Sequence, residues 1–173
     1  MRIMFMGTPD IAAESLKALI NNNMKPVCAV TQPDKPRGRG YKLMPAEVKV
    51  AAEENGIPVY QPETLKNGEL QPILEEYKPD IIAVVAYGKL LPEYVLNFPK
   101  YGCVNMHASL LPKYRGAAPV QWAVINGDEY SGVTTMMMEK GLDTGDMDGK
   151  GTEQKRRIFR DKRHGSACKS NVS

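Results

Sequence analysis

No run of apolar residues in this chain approaches the roughly 18–20 that a membrane-crossing helix needs. The apolar stretch behind Arg2, Ile3–Met6, is too short for the core of a secretory signal. The expected compartment is therefore the cytosol. Cysteine is scarce: Cys28, Cys103 and Cys168 are odd in number and form no C-x-x-C pair. Histidine is scarcer still, with His107 and His164 far apart. A disulfide framework and a zinc centre are both argued against, and no metal is expected. The glycine-rich fingerprint G-x-G-x-x-G is absent, and no phosphate-loop lysine follows the first glycine turn. Nucleotide binding of those two kinds has little support. There is also no internal repeat.

What remains is an ordinary globular composition. Of 173 residues, 42% are hydrophobic and 25% charged, enough apolar material for one sizeable core. Elements alternate along the chain. Strands are expected at 2–6, 27–30, 57–60, 80–86, 102–106 and 133–138. Helices are expected at 11–20, 46–55, 69–77, 90–96 and 117–125, where apolar residues recur at helical spacing. The run Asp80–Ala86 is β-branched and apolar without alternation, as in a strand covered on both faces. Strand–helix alternation predicts an α/β fold with an open, mostly parallel sheet and helices on both faces. Ligands of such sheets sit outside the carboxyl ends of the strands. The segments 7–10, 31–45, 87–92, 105–116 and 139–147 are therefore the places to look for function.

Charge is uneven. Residues 148–173 carry eight Lys/Arg against three Asp/Glu, whereas residues 1–147 carry fifteen against seventeen. The basic excess belongs to the ending and does not mark the whole surface as nucleic-acid-binding. That ending holds five apolar residues, with no helical or strand period. It is expected to be a solvated tail that packs against nothing.

Several residue patterns carry chemistry, each with a plainer alternative. Gly7-Thr8-Pro9 closes a strand and opens a helix, where an anion would be favoured; a tight turn explains it equally well. Asn105 and His107 lie two apart at a strand end, so both side chains share one face. An amide donor and an imidazole there can stabilise an oxyanion and move a proton, although a lone histidine is commonly structural. Cys103 has the same parity but lies deeper, where a core thiol is the plainer reading. Asp143 sits in a Gly-punctuated loop and gains weight if that loop faces His107. In a parallel sheet both loops would leave the carboxyl edge. Lys35–Lys42 is a flexible loop with four cations and no acid; ordinary surface is the plainer reading and phosphate binding the sharper one. Met136–Met138 reads as core.

Four stretches together spell a known pattern. They are Ile3-Met-Phe-Met-Gly-Thr-Pro-Asp10, Thr31-Gln-Pro-Asp-Lys-Pro-Arg-Gly-Arg-Gly40, Val104-Asn-Met-His-Ala-Ser-Leu-Leu-Pro-Lys-Tyr-Arg-Gly-Ala-Ala-Pro-Val120 and Gly141-Leu-Asp-Thr-Gly-Asp-Met147. In this order they closely resemble the formyltransferases that use 10-formyltetrahydrofolate. The basic second stretch points to the members that act on initiator methionyl-tRNA. The resemblance runs from Met1 to Met147.

It implies a Rossmann-like domain that moves a formyl group onto an amine during translation initiation. The family's catalytic residues fall on Asn105, His107 and Asp143. Its folate-binding stretches fall on Ala86, Tyr87, Gly88, Ser109, Leu110, Leu111 and Pro112. Its tRNA-contacting loop brings Arg37, Arg39 and Lys42. Full-length members are about twice as long and add a β-barrel that helps bind tRNA. The expectation is thus a catalytic domain over 1–147, incomplete at its end, a non-family tail over 148–173, no barrel, and feeble activity. A monomer is the default state. Two other readings stay open: a formyltransferase for another amine, such as an amino sugar, and a non-catalytic RNA-binding fragment.

Overall fold

The structure is a computed structural model that describes residues 1–37, 42–116, 118–139 and 147–154; Arg37, Lys42 and 147–154 are described by their backbone. The chain opens with β1 (Ile3–Gly7), α1 (Asp10–Asn21) and β2 (Cys28–Val30). A hairpin follows, β3 (Lys35–Arg37) and β4 (Lys42–Met44). Then come α2 (Glu47–Glu54), β5 (Val59–Tyr60), α3 (Gln71–Tyr77), β6 (Ile81–Val85) and α4 (Glu93–Leu96). The last elements are β7 (Cys103–His107), α5 (Pro119–Ile125), β8 (Tyr130–Met137) and β9 (Met147–Gln154).

One seven-stranded sheet has the order β5-β2-β1-β6-β7-β8-β9. Its first five strands are parallel, while β8 and β9 are each antiparallel to the preceding neighbour. The Rossmann-like, mostly parallel architecture is therefore present.

Alternation along each strand sorts the core into two layers. Met4, Met6, Cys28, Val30, Ile82, Val84 and Cys103 pack under α3 and α4 through Leu70, Leu74 and Val95. Phe5, Ala29 and Val85 pack under α1 and α2 through Ala12, Leu16, Val48 and Ala52. Leu16, Leu70 and Leu74 are fully buried, each contributing about 1.5–3 kcal/mol of apolar burial. At Gly7 a Cβ would lie 2.7 Å from the Ala12 Cβ and 2.8 Å from the Val85 carbonyl. Glycine is what lets β1 turn so sharply into α1.

Two expectations need correction. Lys35–Lys42 does not belong to one irregular loop: Lys35, Pro36 and Arg37 pair with Met44, Leu43 and Lys42 as a hairpin. Strands of three residues are too short to show a period, so the sequence pattern missed them. The tail also does not begin at 148. Residues 147–154 form β9, in register with β8 from Met136↔Met147 to Tyr130↔Gln154. An edge strand is held by ladder hydrogen bonds, which need no apolar side chain. The expectation for 155–173 lies outside the described residues.

The base of the hairpin is pinned. Lys49 Nζ is 2.7 Å from Asp34 Oδ2, and Gln61 Nε2 donates to Asp34 Oδ1 at 2.7 Å and to the Gln32 carbonyl at 2.9 Å. Bonding from Lys49, then from Gln61, holds the Asp34 carboxyl below the ordinary carboxylate range. The Arg2 amide does the same for Asp80, at 2.6 Å. A carboxyl depressed in the folded state adds stability above its unfolded value, near 3.9, and loses it as pH falls through the lower folded value. The melting temperature should therefore fall below about pH 4. In an Asp34→Asn/Asp80→Asn double variant that acid decline should be shallower. A melt series from pH 6 to pH 2.5 checks this, and identical slopes would remove these two groups from the acid response.

Candidate functional site

The strand order runs outward in both directions from β1 and β6, so the crevice of the switch lies beyond their carboxyl ends. Thr8 follows β1, Gln32 follows β2 and the 86–88 turn follows β6. Thr8 Oγ1 donates to the Tyr87 carbonyl at 3.2 Å, and Gln32 Nε2 donates to the same oxygen at 2.7 Å. Three strand ends are thereby tied together. Ala86 and Gly88 both have left-handed backbones, with φ of 45° and 82°. A Cβ on Gly88 would sit 2.5 Å from Gln32 Nε2, so the turn closes on Gln32 because position 88 has no side chain. Ala86 and Gly88 are exposed. The Tyr87 ring is core, and burial pushes its hydroxyl up to about 12. Of the three residues expected to meet folate, then, Tyr87 has its ring in the core.

Asp10 is the first residue of α1, and its Oδ1 accepts from the Ile11 amide at 2.8 Å. An acid already occupies the first turn of the helix, which supports the plain-turn reading of Gly7-Thr8-Pro9.

β7 lies beside β6 with Val84 opposite Asn105. His107 therefore leaves its strand next to the 86–88 turn. Asn105 and His107 share the face of Cys103, as the two-residue period requires. Cys103 is fully buried, its Sγ 3.7 Å from the Val95 carbonyl, and burial raises its thiol to about 12. That environment suits a core thiol, not a nucleophile. Asn105 is half-buried and His107 is buried. His107 Nε2 meets the Tyr114 carbonyl at 2.9 Å.

The 108–116 loop is built around Thr134 of β8, which is fully buried. Thr134 Oγ1 donates to the Ser109 carbonyl at 2.7 Å and accepts from the Leu111 amide at 3.1 Å. Ser109 Oγ donates to the Lys113 carbonyl at 2.7 Å. Ser109 and Leu111 are buried, so they shape the loop. Leu110 is half-buried and Pro112 exposed, so these two present surface. Thr134, Tyr114, Asp128 and Gln32 were missed by sequence reasoning. Their roles arise from contacts with residues distant in the chain. A cavity of about 260 Å³ borders this loop, lined by Leu110, Lys113, Tyr114, Asp128, Tyr130 and Ser131. A second, of about 400 Å³, lies at the opposite, amino edge beside Asp80 and Lys100. The strand-end rule favours the first.

The strand before Asp143 does not run parallel to β7, contrary to the expectation. β8 is antiparallel, and the Met138 amide donates to the Cys103 carbonyl at 2.8 Å. The chain thus leaves β8 at the Cys103 end of β7, away from His107. Asp143 itself lies outside the described residues, as does Arg39. The register sets Arg37 opposite Lys42. Among the described residues, no group of three His, Cys, Asp or Glu is placed to hold a metal ion. No described helix is long and apolar enough to cross a membrane.

Comparison with known proteins supplies what geometry alone does not. The methionyl-tRNA formyltransferase of Desulforamulus reducens is 61% identical over 147 residues, 85% of this chain and 46% of that protein. That of Pelotomaculum thermopropionicum is 57% identical over 147 residues, 85% of this chain and 47% of its own. The chain spans about half the length of these relatives. A phosphoribosylglycinamide formyltransferase structure from Streptococcus pneumoniae superposes with a TM-score of 0.71 at 22% identity, covering 89% of this chain and 82% of its own, which speaks for the fold alone. The formyl transferase pattern matches residues 1–152, and so extends into β9. With that match running from the first strand of the switch through the Asn105–His107 strand end, the chain belongs to the formyl transferase family.

Proposed function

We propose that this chain carries the catalytic and folate-binding part of an enzyme that transfers formyl from 10-formyltetrahydrofolate to the amino group of initiator methionyl-tRNA. The observation that carries the reading is the 61% identity to a methionyl-tRNA formyltransferase over 147 residues. The carboxyl-edge geometry supports it. Two neighbouring strand ends offer exposed backbone at Ala86 and Gly88 and apolar surface at Leu110 and Pro112. Such a lip suits a flat heterocycle with hydrogen-bonding edges.

In the proposed reaction the neutral methionyl amine attacks the formyl carbon. One C–N bond forms, the carbon's bond to the folate nitrogen breaks, and one proton passes from the amine to that nitrogen. Asn105 and His107 stabilise the tetrahedral oxyanion, which carries more charge than the ground-state carbonyl. His107 also exchanges the proton, and Asp143 orients it. No covalent enzyme intermediate is needed, in keeping with the buried Cys103.

Saturable binding of 10-formyltetrahydrofolate is the first test, with Leu110→Asp weakening it. The second is formylation of initiator methionyl-tRNA at physiological salt, against an amino sugar as competitor substrate. RNA binding without folate binding would replace this reading with that of a non-catalytic RNA-binding fragment. The basic hairpin makes its own prediction. A triple variant with Arg37, Arg39 and Lys42 changed to Ala should bind tRNA more weakly and folate normally. Each lost phosphate contact should flatten the dependence of log K on log salt by about 0.7–0.9. An unchanged slope would make the hairpin ordinary surface.

A further inference from the structure

The His107 ring is held by the backbone of a residue seven positions on, and that residue has an unusual conformation. Tyr114 has a φ of 60°, left-handed for a bulky side chain. This region disfavours residues with a Cβ and persists where surrounding contacts enforce it. Here the contacts come through the ring. Tyr114 Oη donates to Asp128 Oδ2 at 2.8 Å and accepts from Asn126 Nδ2 at 3.0 Å. Asp128 also takes Lys113 Nζ at 2.7 and 2.8 Å. The Lys113 ammonium lies 4.9 Å from the centre of the Tyr114 ring. The Asp128 carboxylate, then the tyrosine, raises Lys113 above the ordinary lysine value. Asp128 follows α5 and precedes β8, so it ties the His107 loop to a different part of the fold. Its side chain is 16% exposed, shielded enough for the anchor to be firm.

The Tyr114 carbonyl can only accept, so the nitrogen facing it carries a proton. In a neutral imidazole this puts the hydrogen on Nε2. We propose that Asp128 is a positioning residue for His107. It locks the Tyr114 ring, the ring holds the left-handed turn, and the turn aims the Tyr114 carbonyl at Nε2. This inference rests on the reading of His107 as the acid–base group. Asp128 touches neither substrate nor the imidazole through these bonds, and it acts through Tyr114.

The test is a long-range proton–nitrogen NMR spectrum of the ¹⁵N-labelled 173-residue chain, at a pH where the rings are neutral. The chain has two histidines, so a His164→Gln variant assigns the signals. The parent should show the Nε2–H tautomer at His107. Asp128→Ala should give a mixture of tautomers, and Asp128→Asn, which still accepts from the tyrosine hydroxyl, should restore most of the Nε2–H form. Formyl transfer by Asp128→Ala should show kcat lowered about 10- to 100-fold with KM within about twofold, as for a misplaced catalytic group. Should Asp128→Ala fail to fold, Tyr114→Phe removes one hydroxyl and should give the same mixture. An unchanged Nε2–H tautomer in folded Asp128→Ala and Tyr114→Phe chains overturns the proposal. A tautomer change, with no formyl transfer even when residues 1–152 are joined to the second half of a methionyl-tRNA formyltransferase, upholds the positioning and counts instead against the function proposed above.

Discussion

His107→Ala is expected to lower kcat by roughly 10²–10⁴, the span of a positioned acid–base group. The protein to use joins residues 1–152 to the second half of a methionyl-tRNA formyltransferase, so that tRNA binding does not limit the assay. Asn105→Ala should cost about 10²–10³, as for one oxyanion donor. Folate affinity should change little in either, because both groups act mainly on charge that develops in the transition state. The geometry makes these two residues a pair: one face of β7, two residues apart, beside the 86–88 turn of β6. Steady-state kinetics with tRNA saturating checks both values. A His107→Ala enzyme with near-normal kcat would end the acid–base assignment.

Thr134→Val should be the most destabilising single change near the site. The hydroxyl it removes bonds the Ser109 carbonyl and the Leu111 amide, and all three groups are buried. Valine keeps the shape and leaves two backbone groups without a partner. Each such group costs about 1–3 kcal/mol, so the expected loss is roughly 2–4 kcal/mol. For a domain of this size the melting temperature should drop by roughly 5–15 °C. Thr134→Ser keeps the hydroxyl and should recover most of the loss. Folate binding should weaken in Thr134→Val, because Leu110 and Pro112 are carried by the same loop. A thermal melt and a folate titration read the two effects. A valine variant as stable as the parent would show that the loop is held by other means.

The chain's local chemistry was enough to specify the parallel part of the fold. Hydrophobic runs such as 80–86 mark buried strands because strands covered on both faces have no polar side to show. Gly7 at the end of β1 marks the turn into α1, and the parity of Cys103, Asn105 and His107 follows from the pleat alone. Residue order also carries the family pattern, since the four matching stretches can be read without any contact being known. Tertiary structure decided the rest. Whether β8 runs parallel or antiparallel depends on which edge it joins and how α5 returns it, which periodicity does not encode. That orientation puts the end of β8 beside Cys103, at the far end of β7 from His107. β9 was illegible because ladder hydrogen bonds need no apolar side chain, and the hairpin because three-residue strands are too short to show a period. The support of His107 was illegible for another reason. Tyr114, Asp128 and Thr134 act through single hydrogen bonds that exist once α5 and β8 bring distant residues together. Side-chain type along the chain determined where chemistry can occur; the packing of loops onto the last strands decided which atoms are held there.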